Sequence, residues 1–216
     1  MKKILRSKWI KVPVFGLCLA PLGELAWRAF HHRLTANPIE FITHLTGDWT
    51  LIFIVITLAV TPARKLLRLP ELIRFRRMFG LFAFFYGFLH FGTWIGLDKF
   101  FDWADMLHDV RKRPFVTAGF TGFVLMLPLA LTSTAGWICR LGGKRWQVLH
   151  RLIYVTAVAG VVHYYWLVKS DVRKPLFYGA LVAVLFALRV GFWLVPQRGR
   201  PAGEAIPPGL TNPKTT

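Results

Sequence analysis

What most limits the fold of this chain is a series of apolar runs, each nearly free of charge and close to the roughly 20 residues that carry a helix across a bilayer. Residues 80–97 read GLFAFFYGFLHFGTWIGL, and the run opening HRLIYVTAVAGVVH at His150 stays apolar to Val168. Backbone in hydrocarbon must satisfy its own hydrogen bonds, so runs of this kind are helices. Composition agrees: 55% of the 216 residues are hydrophobic and 18% charged, against about 45–50% and 25% in soluble domains. The fold class is all-α, an integral membrane bundle with the lipid bilayer as its solvent.

Six transmembrane helices are expected, over residues 12–30, 49–60 (starting as early as 45), 79–97, 115–132, 148–168 and 175–195. The chain then divides into a basic leader (1–11), the six-helix bundle (12–196) and a tail (197–216). The leader lacks a clear small-x-small cleavage site after its apolar run, so it reads as retained. The tail is rich in Pro and Gly and reads as disordered. Phe100, Phe101 and Trp103 in the loop after span three suit a short amphipathic segment on the membrane surface.

The net charge of +18 would suit nucleic acid, but the cations sit at the ends of apolar runs, which speaks for orientation in a membrane instead. With the N-terminus inside, the inner segments hold eighteen Lys/Arg and the outer loops nine, Arg189 within span six being the other. Both termini are therefore expected in the cytoplasm. Cys18 and Cys139 form no CxxC, zinc or CxxCH pattern, so any heme would be held by coordination alone, as heme b is.

Ionisable groups inside a membrane are costly and mark function, and neutral imidazole is a common axial ligand of heme iron. His90 lies about eleven residues into span three, and His163 about fifteen into span five. The two spans cross in the same direction, so at 1.5 Å per residue both imidazoles sit at similar depth, past the midplane toward the outer face. Together they can clamp one heme iron. His150 is thirteen residues before His163, roughly 20 Å nearer the cytoplasm and off its helix face unless the helix kinks near Gly160. Gly80, Gly87, Gly92, Ala157, Ala159 and Gly160 leave room for a flat macrocycle or serve plain helix packing. Arg74, Arg76, Arg77, Lys144, Arg145 and Arg151 gather at the cytoplasmic side, where they either signal topology or hold heme propionates or a phosphate.

Other polar residues have blander readings beside the chemical ones. Glu24 is an interfacial or paired residue, or takes part in proton or quinone chemistry. His31, His32 and His44 fall in an expected loop and read as solvated. Arg189 either snorkels to the interface or pairs with an anionic cofactor group.

The segments FYGFLHFGTW, RFRRMFGL and KRWQVLHRLIYVTAVAGVVHYYW, with the six-span layout over about residues 8–197, resemble the ferric-reductase-like transmembrane domain family. Within it they are most similar to the heme-binding membrane subunits of bacterial methionine sulfoxide reductase systems. The resemblance implies His90, His150 and His163 as ligands of heme b, where the wider pattern has two spans with two histidines each; here the Arg76/Arg77 region takes the fourth place. It also implies FMN, electrons from the quinone pool or a cytoplasmic flavin reductase, and delivery to a periplasmic molybdenum-containing methionine sulfoxide reductase subunit from a multi-pass protein of the bacterial inner membrane. About twenty residues after span six are too few for a nucleotide-binding domain, so the expected role is an electron relay and not the catalytic subunit. Two other readings are a small proton-coupled transporter using the histidines as a relay, and an anchor subunit without redox chemistry.

Overall fold

The computed structural model describes residue 7 and residues 9–194; the tail and most of the leader fall outside them. The described residues are helical throughout, without a strand: α1 (Lys11–Phe30), α2 (Pro38–Leu66), α3 (Ile73–Thr93), α4 (Trp103–Lys112), α5 (Pro114–Leu131), α6 (Ala135–Leu141), α7 (Gly143–Leu149), α8 (Leu152–Leu167) and α9 (Arg173–Leu194). A 3₁₀ turn, Pro70–Leu72, leads into α3, and a π turn, Trp94–Asp98, ends it. Four helical stretches are long and apolar enough to cross a membrane: Pro38–Leu66, Pro70–Asp98, Pro114–Leu131 and Arg173–Leu194. They make this an integral membrane protein.

The second long helix begins well before the expected 45–49. Asn37 caps it, its side-chain oxygen accepting from Glu40 N at 3.3 Å, and Pro38 follows at the first helical position, where its missing N–H costs nothing. Thr43, His44, Gly47 and Asp48 therefore belong to a helix wall and not to a loop. Between α5 and α8 the chain forms the pair α6 and α7, hinged at Gly142, whose φ of 74° favours a residue without Cβ. The break at His150 and Arg151 ends α7 and starts α8, and α8 runs unbroken through Gly160. His150 and His163 thus sit on different helices.

The two largest helix interfaces are α2 with α3 and α5 with α8. Smaller contacts join α3 to α5 and α2 to α8, closing a ring of four helices. The core between α2 and α3 is aromatic: Phe53 lies parallel to Tyr86 and Phe82, with centroids 5.4 and 5.6 Å away. The buried Tyr86 hydroxyl donates to Cys18 O at 2.8 Å and pins α1 to the ring. On α9, Leu176, Phe177, Val184 and Val190 face outward, as lipid permits.

Several polar residues of the long helices find partners within the protein. Glu24 pairs with Arg28 one turn on, at 2.6 Å on the exposed face of α1. Arg189 does not snorkel: it turns inward and donates to the Tyr154 hydroxyl and to Leu58 O, both at 2.6 Å. His31 lies at the end of α1, its Nδ1 donating to Trp27 O at 2.9 Å. Cys18 is buried and Cys139 exposed, both as free thiols.

Candidate functional site

The four-helix ring encloses a cavity of about 660 Å³, within the 300–1,000 Å³ usual for ligand sites. His90 from α3 and His163 from α8 face each other across it, their ring centroids 6.1 Å apart and their planes at 76°. Gly87 and Gly160 also line it, each three residues before a histidine, so both histidine helices carry the pattern G-x-x-H.

Each imidazole is seated in the same way on the helix opposite. His90 Nδ1 lies 3.0 Å from Thr43 O of α2, and His163 Nδ1 lies 2.7 Å from Phe115 O of α5. A carbonyl can only accept, so both rings donate from Nδ1 and keep the Nε2 lone pair. One helical turn beyond each acceptor stands a glycine. A Cβ on Gly47 would lie 3.1 Å from His90 Cε1, and one on Gly119 only 2.7 Å from His163 Nδ1. The missing side chains form notches into which the rings fit. The sequence alone does not announce these two carbonyl-and-glycine seats: Gly47 stands among polar residues before the second apolar run, and Gly119 reads as a small residue of the fourth.

The lining changes character along the cavity. Leu51, Ile54, Gly122 and Met126 form its inner end, while Glu40, His44, Asp48, Asp98, Asp109 and Arg113 stand at its outer mouth. Asp48 and Tyr164, the neighbour of His163, both line this part of the cavity. His44, expected as a solvated loop residue, lines this cavity from α2 while remaining exposed.

His150 lies elsewhere. Its Nε2 is 3.1 Å from Thr132 Oγ1, and its ring stacks on Trp146 with centroids 3.8 Å apart. It lines a second cavity of about 220 Å³ together with Arg76 and Arg77. Arg151 is exposed and lines neither cavity. The structure therefore brings His90 and His163 together, and places His150 with the arginines.

The donor set suits an iron macrocycle. Two neutral imidazoles with their outer nitrogens anchored present two free Nε2 atoms across an apolar space, and the ring separation admits one metal with bonds of about 2 Å to each. In the second cavity the His150 Nε2 is engaged by a hydroxyl, and the volume is below the usual ligand range.

Such a bundle defines a class: helical membrane proteins with a paired-histidine cavity between two helix hairpins. Residues 46–161 match the family model described as ferric reductase like transmembrane component. The protein-methionine-sulfoxide reductase heme-binding subunit MsrQ of Herminiimonas arsenicoxydans is 54% identical over 193 residues, 88% of each chain. Proteins of the same name from Ralstonia nicotianae and Caulobacter vibrioides are each 49% identical, over 92% and 93% of this chain and 93% and 95% of theirs. The chain belongs to the ferric reductase like transmembrane family and, within it, to the MsrQ heme-binding subunits.

Proposed function

We propose that this protein is a b-type membrane cytochrome that relays electrons across the bacterial inner membrane to a periplasmic methionine sulfoxide reductase subunit, MsrP. The observation that carries the reading is the pair of seats: both imidazoles are locked through Nδ1, with both Nε2 atoms free across one cavity. The names of its relatives and the family match support the same conclusion.

His90 and His163 would hold the heme, which would supply a one-electron iron couple; with both histidines on the iron it would suit electron transfer better than oxygen binding. The chain's own part is to hold both ligands in one tautomer, to exclude water with Leu51, Ile54 and Met126, and to give the macrocycle space over glycines. Electrons enter from quinol or a cytoplasmic flavin reductase, and six crossings with both termini in the cytoplasm place the His90–His163 pair toward the periplasm. The chain is thus an electron-transfer subunit, with sulfoxide chemistry left to its partner. FMN, which the family resemblance implies, has its best seat beside Arg76 and Arg77; that cavity takes a phosphate more readily than a whole flavin. The proton-relay alternative is disfavoured by the same seats. A relay needs the second ring nitrogen to exchange its proton, and here that proton points at a main-chain carbonyl.

A reduced-minus-oxidised optical spectrum of the detergent-purified protein, with a pyridine hemochrome assay, tests the proposal. A b-type spectrum is expected; protein made with ample heme that carries none would overturn it.

A further inference from the structure

Arg113 is the one Lys or Arg among the described residues lining the His90–His163 cavity. It stands between α4 and α5, serving as C-cap of one and N-cap of the other, with φ −108° and ψ 103°. The following Pro114 favours this extended backbone. Two residues on, Phe115 supplies the carbonyl that seats His163. The tripeptide 113–115 therefore delivers a cation and a ligand's acceptor to the same cavity.

The guanidinium is held in place. Asp109, whose side chain is 2% exposed, takes its Nε at 3.0 Å and also pairs with Lys99. A guanidinium carries five N–H donors in a fixed fork, so a contact through Nε leaves donors over. The other charges at the mouth are acidic. Asn37 Nδ2 donates to Glu40 at 3.0 Å, Asp109 has its two cations, and Asp48 and Asp98 complete the group. The opposite end of the cavity is apolar.

A heme has the matching polarity, an apolar disc with two carboxylates on one edge. Resting on the heme reading above, we propose that Arg113 binds the propionate carboxylates, so that the macrocycle enters edge-outward with its carboxylates at the mouth beside α4. The sequence expectation offered Arg74, Arg76, Arg77, Lys144, Arg145 and Arg151 for heme propionates or a phosphate, or for topology alone; none of them lines this cavity. Arginine suits the task because its planar fork matches a carboxylate with two parallel bonds, which lysine cannot do.

The test uses the full-length, heme-loaded protein in detergent. Resonance Raman spectra give the propionate bending band, and transfer to apomyoglobin gives the rate of heme loss. Arg113→Gln is expected to keep the bis-histidine optical spectrum, shift the propionate band and speed heme loss on the order of tenfold, with Arg113→Lys restoring only part. Wild-type protein reconstituted with heme dimethyl ester, which lacks the carboxylates, should lose its macrocycle as fast as R113Q loses heme; this arm needs no variant to fold. An unchanged band and loss rate in heme-loaded R113Q would overturn the assignment, as would ester-heme retained as firmly as heme. Wild-type protein that binds no heme would instead overturn the functional reading beneath it.

Discussion

Gly119→Ala is the sharpest perturbation the structure offers. The added Cβ would meet His163 at 2.7 Å from Nδ1, 2.9 Å from Cε1 and 3.1 Å from Cγ, so a whole ring edge is in the way. Ordinary contact begins near 3.4 Å, which requires the ring to retreat by about 0.7 Å. That retreat draws Nδ1 off Phe115 O, now at 2.7 Å. Overpacking costs about 1–3 kcal/mol and the lost hydrogen bond about 0.5–1.5 kcal/mol. A combined loss of about 2–3 kcal/mol, inside the range those two terms span, corresponds to roughly 30- to 150-fold weaker heme binding. Alanine is the better helix former by about 1 kcal/mol, which offsets part of the clash in the bundle itself, so heme affinity should fall by more than thermal stability does. The assay is a heme titration of the apoprotein, with thermal unfolding run alongside. Gly47→Ala, whose Cβ would lie 3.1 Å from His90, should lose less, and Gly92→Ala, with nothing within 4 Å, should lose nothing. Equal affinities across the three variants would refute the idea that the notches seat the imidazoles.

Three further outcomes are expected. His90→Ala and His163→Ala should each abolish the low-spin bis-histidine spectrum, while His150→Ala keeps it; complete loss with His150→Ala would show that another pair holds the iron. Tyr154→Phe removes one of the two acceptors of Arg189 and should destabilise the bundle by about 1.5–3 kcal/mol, read as a lower melting temperature in detergent. The attachment of α4 should be lost at both pH extremes. Asp105 and Asp109 hold the Lys99 ammonium above its usual 10.5, so its contribution is full below that value and fades as pH rises through the raised pKa. Lys99 holds the Asp105 carboxyl below its usual 3.8, so that contribution is full above 3.8 and fades as pH falls through the lowered pKa. Hydrogen exchange in Trp103–Lys112 should therefore be slow between these limits and rise outside them; fast exchange at neutral pH would contradict the network.

The long helices were legible because hydropathy acts locally, and the meeting of His90 with His163 followed from rise per residue alone. The early start of α2 is equally legible in Asn37–Pro38, but Glu40, Thr43, His44, Thr46 and Asp48 interrupt the hydropathy of its first three turns. Arg189 was not legible: its acceptors, Tyr154 and Leu58 O, lie 35 and 131 residues away, and nothing near it in sequence announces them. The same holds for the role of Gly47 and Gly119. A glycine in an apolar helix reads as packing until the ring that occupies its notch is seen. In sequence Arg113 is one of three consecutive cations, and only the meeting of α4 and α5 brings it to a cavity mouth.

The two seats also decide where this protein can vary. Thr43 and Phe115 act through their main-chain oxygens, so any side chain that keeps the helix presents the same acceptor. The burden of identity falls instead on residues 47 and 119, where even one methyl group intrudes. A search for distant proteins built the same way should therefore look for a histidine paired with an empty position on the facing helix, and tolerate almost anything one turn before it.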